Sequence, residues 1–200
     1  MIMETSEERD SRDMGRLADG HDAALNDLME RHAQRLFHYL IRQTQNESDA
    51  ADLAQETFAR VYQNRVKFRR GAKFTTWLYT IATNLVRDRS RWRTRHPQVS
   101  LDAEDDETGG SLGDMLPEDG PGPGERLQME ERAEAVRQAV GGLPEDLRTA
   151  LILAEYEECS QAEIAGILGC TVKAVESRVR RARQQLREKL ERRPEFSSLG

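Results

Sequence analysis

The chain predicts an all-α fold: two small helical domains joined by a flexible acidic linker, the second domain ending in a helix-turn-helix. Three observations carry this expectation. Apolar residues recur at steps of three and four throughout, with no alternating strand pattern and no internal repeat. Residues 101 to 125, LDAEDDETGGSLGDMLPEDGPGPGE, hold six glycines and three prolines with few bulky apolar groups, the composition of a linker or disordered segment. Residues 160 to 190, SQAEIAGILGCTVKAVESRVRRARQQLREKL, read as a short helix, a tight turn and a longer basic helix.

Taken in order, residues 1 to 20 have little apolar content and read as a disordered, mobile N-terminal tail. From about His21, the residues Leu25, Leu28, His32, Leu36, Tyr39 and Leu40 recur at helical spacing and predict a long helix ending near Gln43. His32 and His38 suit packing or surface roles rather than metal ligation. Asn46 or Ser48 caps a second helix, ESDAADLAQETFARVYQN, with Ala50, Leu53, Ala54, Phe58, Val61 and Tyr62 inward. Its Asp49, Asp52, Gln55 and Glu56 lie elsewhere; acid there either stabilises the helix N-terminus or offers a docking face to a basic protein. NRVKFRRGAKF, residues 64 to 74, interleaves cations with Phe68 and Phe74, a pattern suited to single-stranded nucleic acid, where cations follow the backbone and rings stack on bases. A third helix follows, TTWLYTIATNLVRDRSRWRTR, with Leu78, Ile81, Ala82 and Leu85 inward and Thr76, Thr80, Thr83, Arg87 and Arg91 on a polar, increasingly basic stripe.

After the linker, Met129, Ala133, Val136 and Val140 form the inner stripe of a helix ended by Gly141 and Gly142. Leu143 and Pro144 begin another, with Leu147, Ala150, Leu151 and Ala154 inward. Ser160 and Glu163 have capping-box spacing; Ile164, Ile167 and Leu168 follow, and Gly169 supplies a left-handed stop. Thr171 caps the last helix, whose Val172, Val175, Val179, Ala182, Leu186 and Leu190 fall on one stripe. Lys173, Ser177, Arg178, Arg180, Arg181 and Arg183 remain outside it. Such a helix suits the DNA major groove, with arginines on guanine edges or phosphates; the alternative is a solvated basic face on a bundle helix.

The net charge of −6 is divided unevenly. Residues 21 to 100 carry 14 basic and 8 acidic side chains and residues 132 to 193 carry 12 and 10, whereas residues 101 to 131 carry 1 and 11. Both halves are thus net basic around an acidic connector, and the total is a poor guide to partners. No apolar run approaches the roughly 20 residues needed to cross a bilayer, and MIMETSEERDSRDMGR is not a signal peptide, so a cytoplasmic chain without membrane insertion is expected. Cys159 and Cys170 are the only cysteines and lack a neighbouring His, which fits small buried side chains rather than a metal site. No nucleophile arrangement or phosphate-binding glycine loop suggests catalysis, and no cofactor is implied.

DLAQETFARVYQN, FTTWLYTIATNLVRDRSRW and LPEDLRTALILAEYEECSQAEIAGILGCTVKAVESRVRRARQQL, in that order, resemble the extracytoplasmic-function sigma factors of the sigma-70 family, over roughly residues 21 to 193. The resemblance implies sigma region 2 over 21 to 100, the linker over 101 to 125, sigma region 4 over 126 to 193 and a tail over 194 to 200. It implies a non-catalytic subunit that binds core RNA polymerase, recognises minus-10 and minus-35 promoter elements and helps open the duplex. The β′ clamp helices would meet Asp49, Asp52, Leu53, Gln55, Glu56 and Phe58. Minus-10 DNA would meet Asn64, Arg65, Phe68, Phe74, Thr76, Trp77, Asn84, Arg87, Asp88 and Arg91. Region 4 would pack on the β flap and read minus-35 DNA through Lys173, Glu176, Ser177, Arg178, Arg180, Arg181 and Arg183. Glu176 departs from the resemblance, standing where relatives often carry a basic residue. Control by an anti-sigma factor is also implied. The competing readings are a stand-alone helix-turn-helix regulator, which leaves the first domain without a role, and a sigma mimic that titrates an anti-sigma factor, which leaves the arginines unexplained.

Overall fold

The computed structural model describes residues 4–69, 71–96, 123–193 and 196, and every regular element among them is helical. The order is α1 (Ser6–Ala18), α2 (Ala24–Thr44), α3 (Glu47–Gln63), a 3-10 turn (Arg65–Lys67), α4 (Phe74–Arg95), α5 (Pro123–Gly141), α6 (Glu145–Glu155), α7 (Gln161–Leu168) and α8 (Val172–Glu191). The linker expected over 101 to 125 falls, up to residue 122, outside the described residues, as does most of the expected tail from 194.

Local chemistry sets the helix ends. Asn46 caps α3, its side chain accepting from the Asp49 amide at 2.8 Å. Ser160 and Glu163 close a reciprocal capping box on α7, which stops at Gly169 with φ of +63°. Thr171 caps α8 by accepting from the Ala174 amide. Each such cap is worth about 1 kcal/mol.

The N-terminal segment differs from the expected mobile tail. Thr5 and Glu8 form a second capping box, and α1 buries Asp10, Asp13, Met14 and Leu17 against its neighbours. Two of these four inward positions are carboxylates, so the helical stripe is invisible to a search for apolar residues. Their burial is tolerated because α2 supplies the partners. Arg31 donates to Asp10 at 2.9 Å and to Asp13 at 2.7 Å, and His32 Nε2 lies 2.9 Å from Asp10. Burial opposes ionisation of Asp13, but the hydrogen bonds from Arg31 and Arg16 hold its carboxyl below the usual range.

Leu28, Leu36, Tyr39 and Leu40 of α2 meet Ala50, Leu53, Phe58 and Val61 of α3 and Phe74, Leu78, Ala82 and Leu85 of α4. Leu147, Ala150, Leu151, Ile152 and Leu153 of α6 meet Ile164, Ile167 and Leu168 of α7 and Val175, Val179 and Ala182 of α8. Two stripes shift from their expected positions. In α5 the buried residues are Ala135, Ala139 and Val140, while Met129 and Ala133 are exposed. In α8 Val172 is 42% exposed, being in the first turn and ahead of the point where α8 reaches its neighbours.

The two halves touch. α4 packs on α7, and α2 packs on α5 and α6. The polar stripe of α4 is only partly open to solvent: Thr83 is buried within the first half, sharing a 2.7 Å hydrogen bond with the hydroxyl of buried Tyr39 of α2. Polar atoms dominate the named links across the seam. Glu157, beyond α6, accepts from Arg35 Nε at 2.8 Å and from the Tyr79 hydroxyl. Thr149 donates to Gln43 at 3.2 Å, Lys73 pairs with Glu163 at 2.8 Å, and the Arg42 guanidinium lies over Tyr156. Gly141 sits so close to Gln45 that a Cβ would come within 2.9 Å of its Cγ, so only glycine fits without a shift.

Candidate polymerase and nucleic-acid interfaces

On α3 the side chains assigned from sequence to one docking face separate into two layers. Asp52, Gln55 and Glu56 are exposed, whereas Asp49, Leu53 and Phe58 are buried behind them. Asp49 is the charged hinge between the layers. Arg89 and Arg93 of α4 both donate to its carboxylate, fixing the angle between α3 and α4. Glu56 is held along the helix by Arg60 at 2.8 Å, an i,i+4 pair. The surface left for a partner is therefore a short polar strip, acidic at two of three positions.

Beside it, the end of α3, the 3-10 turn and α4 enclose a cleft lined by Arg60, Asn64, Lys67, Trp77, Ile81, Asn84, Leu85 and Asp88. Of the residues assigned to minus-10 DNA from sequence, Asn64, Trp77, Asn84 and Asp88 come together here. Arg60, Lys67, Ile81 and Leu85 were not among them. Arg60 was legible in one respect: it lies four residues before Asn64, so the last turn of α3 brings the two together. Its backbone oxygen accepts from the Asn64 amide group at 2.9 Å, and Lys67 donates to Asn64 Oδ1 at 2.8 Å. The cleft thus combines two cations, two carboxamides, one carboxylate and an indole. These are the groups needed to stack a planar base, hydrogen-bond its edge and neutralise its phosphate.

The remaining residues of that set lie elsewhere. Phe74 is buried, packed on His32 with ring centroids 5.1 Å apart and edge-on to Phe68. Phe68 lies 5.2 Å from Trp77, so the two phenylalanines back the indole rather than present free rings. Arg65 stacks on Tyr62. Thr76 is half-buried; Arg87 lies 4.0 Å from Glu145 of α6; Arg91 is exposed near Asp88.

In the helix-turn-helix, Lys173, Glu176, Arg180 and Arg181 point to solvent along α8, with Ser177 half-buried between them. Two of the expected arginines are engaged within the domain. Arg178 lies 3.4 Å from Asp146 and donates to the Cys170 sulfur, and Arg183 donates to Glu155. Val172 adds an exposed apolar group in the first turn of α8. Burial pushes the Cys159 thiol up to about 11, which makes it a poor thiolate donor. No helix among the described residues is long and apolar enough to cross a membrane.

Comparison with known proteins accounts for this arrangement. Residues 28–96, from α2 through α4, match the family model for sigma-70 region 2, and residues 133–186, from α5 into α8, match that for sigma-70 region 4. The chain is 35% identical over 172 residues to the ECF RNA polymerase sigma factor SigW of Bacillus subtilis, covering 86% of this chain and 91% of that protein. Its fold is similar to that of CnrH solved in complex with the cytosolic domain of CnrY, with a TM-score of 0.66 and 26% identity over 92% of this chain and 97% of that one. It is also similar to the sigma factor RpoE solved in complex with the anti-sigma factor NepR from Bartonella quintana, with a TM-score of 0.64 and 25% identity over 84% and 96% of the two chains. The helical fold thus falls within one known architecture: the chain belongs to the extracytoplasmic-function group of sigma-70 RNA polymerase sigma factors.

Proposed function

We propose that this chain docks on core RNA polymerase through Asp52, Gln55 and Glu56 of α3, against the β′ clamp helices, and directs the enzyme to promoters. Region 2 holds a base of the opened minus-10 element in the cleft of Arg60, Asn64, Lys67, Trp77, Asn84 and Asp88. Region 4 reads the minus-35 element through Lys173, Glu176, Arg180 and Arg181 and packs on the β flap. The cleft is the observation that carries this reading, since stacking, edge and phosphate groups converge there beside the docking strip. Catalysis belongs to the polymerase core, in the cytoplasm; the chain supplies placement and part of the free energy of opening. Flipping a base costs a few kcal/mol, and a pocket that holds it offsets that cost only on melted DNA.

Glu176 contributes to promoter choice rather than general affinity, because a carboxylate is unfavourable beside phosphate but accepts from a cytosine amine. Control by an anti-sigma factor follows the similar structures, in one of which the sigma factor RpoE is bound to the anti-sigma factor NepR.

The test is binding to purified bacterial core polymerase by the native chain and by a Gln55→Ala, Glu56→Arg double variant. Tight native binding that falls at least tenfold in the variant is expected. A native chain that ignores core polymerase yet binds duplex DNA would overturn the reading in favour of a stand-alone regulator.

A further inference from the structure

Trp77 is the one aromatic side chain that lines the cleft, and its indole is braced from behind. Phe68, Phe74 and Trp77 form a closed triangle of rings. Their centroids lie 5.2 Å apart between Phe68 and Trp77, 6.3 Å between Phe68 and Phe74 and 6.4 Å between Phe74 and Trp77. Each separation falls where aromatic pairs attract. Phe74 and Trp77 are also three residues apart in the first turn of α4, so they share one side of that helix. Phe74 is the buried vertex, 2% exposed, and the ring of His32 of α2 packs on it at 5.1 Å.

His32 is fixed in turn by α1. Its ring is buried, with Nε2 2.9 Å from the Asp10 carboxylate. A carboxylate only accepts, so the ring donates from Nε2 and its orientation is tied to α1. Asp10 also accepts from Arg31 at 2.9 Å. α1 reaches the same region at two further points: Glu7 pairs with Lys73, the residue before Phe74, at 3.0 Å, and α1 packs on the 3-10 turn that carries Lys67. Contacts therefore run from Asp10 through His32 and Phe74 to Phe68 and Trp77, linking a helix that lines no part of the cleft to the ring that does.

An apolar side chain at position 32 would fill this space without burying an imidazole against a carboxylate. Buried polar pairs cost desolvation and contribute defined geometry more than net stability. The geometry defined here is the seat of Phe74, because close-packed side chains pass a displacement on to their neighbours. An indole already held in place loses less freedom on stacking against a base than one that binding must order.

We propose that His32, oriented by Asp10 of α1, is a positioning residue for the base cleft: through Phe74 and Phe68 it holds the Trp77 indole where an unpaired minus-10 base stacks. This role rests on the reading of the cleft given above. α1 thereby takes part in strand capture while standing away from the strand.

The experiment uses the full chain carrying Trp92→Phe, which leaves Trp77 as the sole tryptophan. His32→Leu keeps an apolar volume but loses the flat ring and the bond to Asp10; His32→Phe keeps a ring; Trp77→Ala removes the platform. The probe is a fluorescein-labelled single strand selected from a random DNA pool by the native chain assembled on core polymerase. In assembled chains, His32→Leu is expected to weaken strand binding about three- to tenfold, the worth of one aromatic contact, and His32→Phe to stay within about twofold of native. In the free chain, acrylamide quenching of Trp77 should rise in His32→Leu and not in His32→Phe. Affinity for core polymerase should hold in both, whereas a merely structural loss would lower it in step with strand binding. Native strand binding by His32→Leu, a loss in step with core affinity, or an equal loss in His32→Phe overturns the positioning role. If circular dichroism shows that His32→Leu does not keep its helices, Asp10→Asn carries the same test: weaker strand binding with greater quenching of Trp77 is expected, and native values overturn the role. Trp77→Ala separates the two readings. If it binds the strand as the native chain does, the cleft reading itself falls; if it alone loses binding, the cleft stands and the role of His32 falls.

Discussion

At the scale of single residues, the chain uses buried carboxylates as fasteners, and their removal has a predictable sign. Asp49 accepts from both Arg89 and Arg93, whose side chains are 33% and 43% exposed. Asp49→Ala leaves two guanidiniums that water can still reach, so the loss should be about 1–3 kcal/mol rather than the larger cost of a fully stranded charge. Urea unfolding of the two proteins measures it. Asp13 gives a pH signature. Its folded carboxyl sits below the ordinary value, so its contribution is complete above that value and is lost as pH falls through the depressed one. Asp13→Asn should therefore be less stable at neutral pH and lose less on going below about pH 4, read from urea midpoints across the range. At the cleft, Trp77→Ala should weaken binding of single-stranded minus-10 DNA by about 1–3 kcal/mol, the usual worth of one stacked base, with little effect on core polymerase affinity.

At the scale of elements, legibility followed the chemistry of the ends. Ser160 and Thr171 read as caps from sequence, and of the two candidates Asn46 and Ser48 it is Asn46 that caps α3; each of the three accepts from a first-turn backbone amide. Short side chains at the helix starts and a glycine at position 169 leave few other options. Helix α1 was not legible, because two of its four inward residues are acids whose partners lie about twenty residues away. Deleting residues 1 to 18 should strand Arg31 and His32 and remove buried Met14 and Leu17, lowering stability by several kcal/mol; thermal melts of the truncated and full chains test this. The aromatic loop was half legible. Its cations and rings were noted, but sequence spacing does not say which ring faces inward, and Phe74 belongs to the core while Trp77 lines the cleft.

At the scale of the whole molecule, the two-domain plan came from composition and periodicity, and the contact between the halves did not. Tyr79, Thr149 and Glu157 are polar residues whose partners across the contact lie far away in the sequence. Glu157 accepts from Arg35 and Tyr79 of the other half, and Thr149 donates to Gln43 there. A pattern search within one domain has no access to that pairing. The same contact hides part of α4 and engages Arg87, so the exposed nucleic-acid surface is smaller than the helical stripe suggests.

Glu163 carries a consequence of its own. It caps the first helix of the helix-turn-helix together with Ser160, and it also reaches across to Lys73. The hydrogen bond from Lys73 is the main cause holding its carboxyl below the usual range, with those from Ser160 adding to it. When Lys73 leaves, the capping role remains, because both of its partners there belong to the same turn. The first helix of the helix-turn-helix therefore keeps its cap with or without the Lys73 contact, and its shape does not depend on the rest of the chain at that end.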